Sequence, residues 1–347
     1  MSVGLDVGSS QIRCLRLRGE QTVGSSSRAL FAVLPDASEY RALLEAGHIP
    51  FAICDGALAL IGDNAAAYSS LFHVRPQSLL PHGRLPTNDP VARQCLAALV
   101  EALLGEPDQP GEMCCVTLPG GEMFQSLATS NELEFLTRLI RLRGFTPQVL
   151  PAGMAAILAH LVSRSFTGIG LSFGAATSEL VLAHRGIQVA IATIPRGGDW
   201  MDELIAEHFE FVFRDTDGVS FLNLEQARAH RERLKSVLVS PSDPESQFLT
   251  DVYQDLAYGL IRTAAEEFTQ QPRALDVPQP LAVVVVGGVA RTQGFRILLQ
   301  NAFETARFPL EIGNIQFATD DTFSVARGCL INAQLETEVR SARPRAA

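Results

Sequence analysis

Gly4-Leu5-Asp6-Val7-Gly8-Ser9-Ser10 ends an apolar strand on an acidic residue and follows it with a small-residue turn. The pattern predicts a hairpin with one strand over Ser2–Val7 and the other over Gln11–Arg18, where Ile12, Cys14, Leu15 and Leu17 partly alternate. Such a turn exposes backbone N–H groups that can surround one anion, so Gly8, Ser9 and Ser10 are candidate phosphate contacts. Asp6 beside them is the candidate Mg²⁺ residue, acting through water because Mg²⁺ gives up its hydration shell reluctantly. An ordinary Gly-Ser hairpin with Asp as a turn former fits the same residues.

The second half of the chain repeats the plan. Ser172-Phe173-Gly174-Ala175-Ala176-Thr177-Ser178-Glu179 predicts a strand over Gly168–Phe173, a tight turn, and a strand returning over residues 177–183. Alanine still lets a backbone come near a ligand but resists positive φ. No acidic residue precedes this turn. The recurrence, at the level of pattern rather than identity, suggests two related α/β halves facing one another.

Two further stretches carry candidate chemistry. Val283–Val286 is a continuous apolar run that delivers Gly287-Gly288-Val289-Ala290-Arg291 to the carboxyl edge of a buried strand, where open α/β sheets place ligands. Arg291 has a planar guanidinium suited to stacking on a base. Glu232-Arg233-Leu234-Lys235 sits in a helix expected over residues 224–239, with Glu232 and Lys235 on one face. Lys235 is the only lysine among 28 basic residues. A strand–helix turn accounts equally for the two glycines, and a solvated ion pair for Glu232 and Lys235.

Elsewhere, a polar turn is expected over residues 20–27 and an irregular β-rich segment from Pro35 to Pro90. Asp89-Pro90 opens a helix as N-cap and first helical residue. Helices are expected over 131–143, 153–163, 200–209, 246–268, 294–303 and 322–334, with a frayed Arg-rich tail from Arg340.

Composition narrows the field. The chain has 347 residues, 47% hydrophobic and 19% charged, with a net charge of −10. That is enough to bury real cores and argues against disorder. The acidic balance disfavours nucleic acid as a partner, since phosphate backbones reward basic surfaces. The six cysteines lack C-x-x-C spacing, so they read as reduced, packed thiols of a cytoplasmic protein. No signal peptide and no apolar run of bilayer length is expected.

Taken in order, these stretches resemble the actin-like ATPase superfamily, which includes actin, the heat-shock chaperone ATPases and bacterial MreB, MamK and FtsA. Gly4–Ser10 is similar to the first phosphate loop and Gly174–Thr177 to the second. Gly287, Gly288, Val289 and Arg291 are similar to the adenosine motif, and Glu232 with Lys235 to the nucleoside pair. Arg196-Gly197-Gly198-Asp199-Trp200-Met201-Asp202-Glu203 is close to an MreB stretch, which adds Gly197 and Gly198 to the candidate contacts.

The resemblance implies a two-lobed α/β, ribonuclease H-like fold with an ATP or ADP cleft between duplicated mixed-sheet domains. One domain comprises residues 1–149 and 323–347, with a small subdomain at about 30–85. The other comprises 150–322, with a small helical subdomain at about 198–250. It implies Mg²⁺, self-association head to tail into filaments, and a membrane-associated protein partner. The alternatives are an adaptor resembling PilM and a small-molecule kinase of the same fold.

Two departures bear on turnover. Ser172 stands where the second loop of the family begins with Asp, and Ala152 where MreB carries a Glu that orients water. The resemblance therefore implies nucleotide binding with weak or lost hydrolysis, leaving Thr177 as the candidate water contact.

Overall fold

Each half of the chain builds one five-stranded mixed sheet on the same plan. The computed structural model describes residues 2–86, 88–120, 127–214, 220–233, 236–237, 241, 243–318 and 321–342. It divides into two units, residues 1–150 with 326–347 and residues 151–325.

In the first unit, β1 (Ser2–Val7), β2 (Gln11–Arg18) and β3 (Gln21–Arg28) form an antiparallel meander. Strand β3 corrects the expected polar turn over residues 20–27. It pairs with β2 along its whole length, from Arg28 opposite Gln11 to Gln21 opposite Arg18. Its Gly- and Ser-rich sequence is mostly exposed at the sheet edge, so no apolar alternation marks it.

The segment 35–90, expected to be β-rich and irregular, does carry strands, but they join an ordered sheet with helices beside it. Strands β4 (Leu30–Leu34), β5 (Ala52–Cys54), β6 (Ala57–Ile61) and β7 (Gln77–Ser78) make a four-stranded sheet, with helices α1 (Ser38–Ala46) and α2 (Asp63–Tyr68). Leu34, Leu44, Leu58 and Leu60 form its own small core.

Helix α3 (Pro90–Leu104) starts where Asp89 accepts the amide of Ala92 at 2.9 Å. Strands β8 (Met113–Thr117) and β9 (Thr146–Val149) then join the sheet in parallel, linked by α4 (Leu127–Leu142). Parallel neighbours need such a crossover. The order is β3-β2-β1-β8-β9.

The second unit opens with α5 (Ala152–His160) and then repeats the sheet. Strands β10 (Gly168–Phe173), β11 (Ser178–His184) and β12 (Ile187–Ile194) form the meander. After them come α6 (Gly198–His208), the small hairpin β13 (Val212–Arg214) and β14 (Ser220–Leu222), α7 (Leu224–Arg233), α8 (Pro244–Thr269) and the short α9 (Pro272–Leu275). Strand β15 (Leu281–Val286) and β16 (Ile312–Phe317), joined through α10 (Phe295–Thr305), complete the order β12-β11-β10-β15-β16. The final α11 (Ser324–Ala342) includes Arg340, which corrects the expected fraying from that residue; the residues after 342 lie outside the described ones.

Helix α7 also departs from expectation. It ends at Arg233 rather than running to residue 239. Ser236 is in a parallel bridge with Gln293, and the Val237 amide donates to the Gln293 carbonyl at 2.9 Å. The chain there is extended and seated on Gly294, whose positive φ leaves no room for a side chain against the Val237 carbonyl.

The two central strands, β1 and β10, are each covered by a helix at a glycine. A Cβ on Gly4 would collide with the α11 backbone at Ala326 and Leu330. One on Gly170 would collide with the α5 backbone at Gly153. On the other face of β10, Leu171, Phe173, Leu180 and Leu182 pack against Leu256, Leu260 and Phe295. These close approaches fix the ends of β1 and β10, from which the two turns emerge.

Candidate functional site

The two sequence-predicted turns have the same local geometry. The Gly8 amide donates to the Gln11 carbonyl at 3.1 Å, and the Gly174 amide donates to the Thr177 carbonyl at 3.0 Å. A Cβ would lie 2.8 Å from the Gln11 oxygen at Gly8 and 2.9 Å from the Thr177 oxygen at Gly174. Glycine is thus required at the head of both turns. Ser9, Ala176 and Thr177 are buried, and Ser10 is exposed.

In the first unit Asp6 sits beneath its turn. It is the register partner of Arg13 on β2 and of Thr117 on β8. Thr117 Oγ1 donates to Asp6 Oδ1 at 3.0 Å, and Arg13 Nη1 donates to Asp6 Oδ2 at 3.2 Å. Arg13 also donates to Gln11 Oε1 at 2.6 Å. Burial pushes the Asp6 carboxyl up, while the Arg13 charge and the Thr117 hydroxyl pull against it. Sequence reasoning misses Arg13 and Thr117, since neither belongs to a motif. The register of the hairpin, once its turn is placed, is the signal that finds Arg13.

In the second unit the chain gathers three of the predicted motifs. The α6 N-terminus is seated on the turn: the amides of Gly198 and Asp199 donate to the carbonyls of Gly174 and Ala175 at 3.0 and 2.8 Å. Gly197 lies against the same two carbonyls, and Gly287 lies against Phe173 with φ of 108°. A Cβ on Gly198 would stand 3.5 Å from Val289 Cγ2 and 3.8 Å from Ala175 Cα. The Gly198 amide, donated to Gly174, is used within the protein, and Gly197 serves the close packing of helix on turn. Gly288 is exposed, with open space where a Cβ would be, and Arg291 is exposed.

The α7 residue that reaches this place is Arg231. Its Nη2 lies 3.4 Å from the Cβ position of Gly198. Arg231 and Arg228 both bond Asp202 of α6, which is fully buried, and Arg228 also bonds Asp199 at 2.8 Å. Burial opposes the Arg231 charge, but Asp202 outweighs it and holds the guanidinium above its ordinary value. Sequence reasoning misses this network as well. Its i, i+3 spacings on α6 and α7 are the only signal for it. Glu232 is exposed at the end of α7, and Lys235 lies outside the described residues.

A hydrated, nucleotide-borne Mg²⁺ fits this donor set. Among the described residues no group of three or more His, Cys, Asp or Glu is arranged to hold a metal ion. Asp6 already accepts on both oxygens. Mg²⁺ carried on phosphates with most of its waters needs no protein cage, and one carboxylate contacting it through water suffices.

A meander of three strands, two parallel strands added by crossover, a glycine-led turn at the end of the first strand, and all of it repeated, define the actin-like fold. Solved structures agree. A MamK double helical filament matches with a TM-score of 0.68 at 16% identity, over 99% of each chain. MreB5 of Spiroplasma citri bound to ADP matches at 0.66 and 15%, over 98% of each chain. A non-polymerising MamK mutant bound to AMPPNP matches at 0.57 and 17%, over 96% of this chain and 98% of that one. The chain belongs to the volactin family, whose model matches residues 1–333. No curated protein matches it in sequence. Among the described residues no helix is long and apolar enough to cross a membrane.

Proposed function

We propose that this protein is a nucleotide-binding actin-like filament protein of the cytoplasm. The observation that carries the reading is the repeated turn: Gly8–Gln11 and Gly174–Thr177 close with the same bond, and each excludes a side chain at its first residue. Backbone amides in such turns suit phosphate groups. The turns, with Gly287–Val289, would hold ATP or ADP, and Asp6 would contact Mg²⁺ through water.

Self-association follows from likeness of fold to a filament, since head-to-tail contacts that do not close give open polymers. Hydrolysis is slow in this reading, because Ser172 and Ala152 lack carboxylates and phosphoryl transfer depends on positioning and charge. The test is sedimentation and electron microscopy of the purified chain with ATP and Mg²⁺, with ADP, and without nucleotide. Filaments that depend on nucleotide are expected. A chain that neither binds nucleotide nor pellets would overturn the reading.

A further inference from the structure

Strand β3 is an edge of the first sheet, and half of its backbone groups face away from that sheet. The Ala29 amide, just beyond its end, donates to the Ser10 carbonyl at 3.0 Å, whereas the Arg28 amide donates outward to Asp63 Oδ1 at 3.2 Å. The register with β2 runs without a shift from Arg28 to Gln21, so this alternation carries along the strand. Thr22, Gly24 and Ser26 therefore turn their N–H and C=O groups away from β2. All three residues are exposed, and none of these groups has a partner among the described residues.

Edge strands are ordinarily blunted by a proline, a bulge, a charge or a covering element. Strand β3 has no proline and no bulge, and its one charge is Arg28 at the end. Helix α3 touches it on one face, where Ser25 Oγ donates to the Leu103 carbonyl at 3.4 Å. The equivalent β12 of the second unit shifts register against β11 and buries Ala190, Ala192 and Ile194 in the core.

The open stretch is symmetrical. Asp63 closes the edge at Arg28 and the Gly19-Glu20 turn closes it at the other end, which leaves residues 22–26 free with Gly24 at their centre. An antiparallel copy laid on it about a two-fold axis at Gly24 sets Thr22 opposite Ser26 of the second copy, and Gly24 opposite its own equivalent. Thr–Ser pairs across strands bond favourably, and a strand glycine lets another backbone come close. The same axis brings the Glu20 turn beside Arg28 of the second copy at both ends. Glu20 and Arg28 are exposed, and neither has an ion pair among the described residues. An uncharged peptide on this edge would leave both charges unmet.

We propose that β3 is a self-association surface, pairing edge to edge, antiparallel and two-fold about Gly24, with β3 of a second copy of this chain. The contact is isologous and closes on itself, so it is separate from head-to-tail assembly. So short a ladder buries little surface; single chains pair weakly, and chains already strung together multiply the contact.

The test is cysteine cross-linking of the full chain in EDTA without nucleotide, with copper-phenanthroline as oxidant, read as covalent dimer. The six native thiols are buried. Directly paired Cα atoms lie about 5.5 Å apart, within disulfide reach. Thr22→Cys and Ser26→Cys each lie about 14 Å from their own equivalents along the ladder. Gly24→Cys is therefore expected to dimerise at least about tenfold faster than either alone. A mixture of Thr22→Cys with Ser26→Cys should cross-link at a rate comparable to Gly24→Cys. Ser26→Pro added to Gly24→Cys removes an outward N–H that β2 does not use, so the fold is kept. Its cross-linking should fall by about tenfold, the scale of a lost ladder bond. If that variant fails to fold, Glu20→Lys in its place should slow the reaction about threefold, and adding Arg28→Glu should restore it. Equal rates for the three single-cysteine chains would overturn the proposal. So would a Gly24→Cys rate that neither Ser26→Pro nor Glu20→Lys lowers, and β3 would then be a solvent-facing edge alone.

Discussion

Asp6 and Arg13 face each other across β1 and β2, and the guanidinium of Arg13 holds a carboxyl that burial pushes upward. The folded value of Asp6 lies above its ordinary 3.8. The fold therefore takes up a proton between the two values, and Asp6 lowers stability as pH rises from 3.8 through the folded value. Asp6→Asn removes that cost. The variant is expected to melt at or above the parent temperature at pH 7, with the difference closing in more acidic solution, and to bind Mg²⁺·ADP more weakly. Thermal melts across pH and one titration check both parts. A variant that melts well below the parent at pH 7 would mean that the Arg13 and Thr117 bonds outweigh the burial.

The glycines around the turns are expected to separate by the room each has. Gly8→Ala and Gly174→Ala push a methyl against a backbone oxygen at 2.8 and 2.9 Å. Each should cost about 1–3 kcal/mol, the range for forced overpacking. Gly197→Ala should cost more, because two carbonyls and the α6 N-terminus must move. Gly288→Ala meets nothing within 4 Å and has φ of −65°, so its stability should stay at the parent level. Urea denaturation of the four variants gives the order directly, and a destabilised Gly288→Ala would contradict the geometry.

Much of this arrangement is legible in the sequence. The hairpin at Asp6, its repeat at Ser172 and the buried run at Leu281–Val286 announce themselves through apolar strands ended by glycine. Strand β3 does not, because an edge strand of Gln, Gly and Ser that faces water carries no burial signal. Strand β16 is hidden for a related reason, its Gly313 and Asn314 being exposed within a short run. The end of α7 at Arg233 depends on Ser236 finding Gln293, a tertiary choice that local propensity does not encode.

Asp202 is expected to be the single most costly acid to lose in the second unit. It is fully buried and bonds Arg231 at 2.7 Å and Arg228 at 3.0 Å. Asp202→Ala would leave the buried Arg231 guanidinium without its carboxylate and Arg228 with Asp199 alone. Breaking a buried pair from one side commonly costs about 3–5 kcal/mol. Because α6 is seated on Gly174 and Ala175, the loss should also loosen the second turn, seen as faster amide exchange at Gly198 and Asp199. Exposed Glu232→Ala serves as the control, with stability near that of the parent. Equal stability of the two variants would show that the Asp202 network contributes nothing to the fold.

The six cysteines supply the last prediction. Cys14, Cys54, Cys95, Cys114, Cys115 and Cys329 are all free and buried, and all six belong to the first unit. Cys95 Sγ approaches Cys54 Sγ to 3.8 Å, with Cys54 on β5 and Cys95 on α3. Burial pushes the Cys14 thiol up to about 12, and it raises Cys95, Cys114 and Cys329 as well. The thiolate is the reactive form, so these groups should be nearly inert to a disulfide reagent at about pH 8 while the fold is intact. All six should react at once in denaturant, and partial denaturation should release them as one group if the first unit opens cooperatively. A thiol that reacts in the native protein at the rate of a free cysteine would show that the first unit opens locally at that residue.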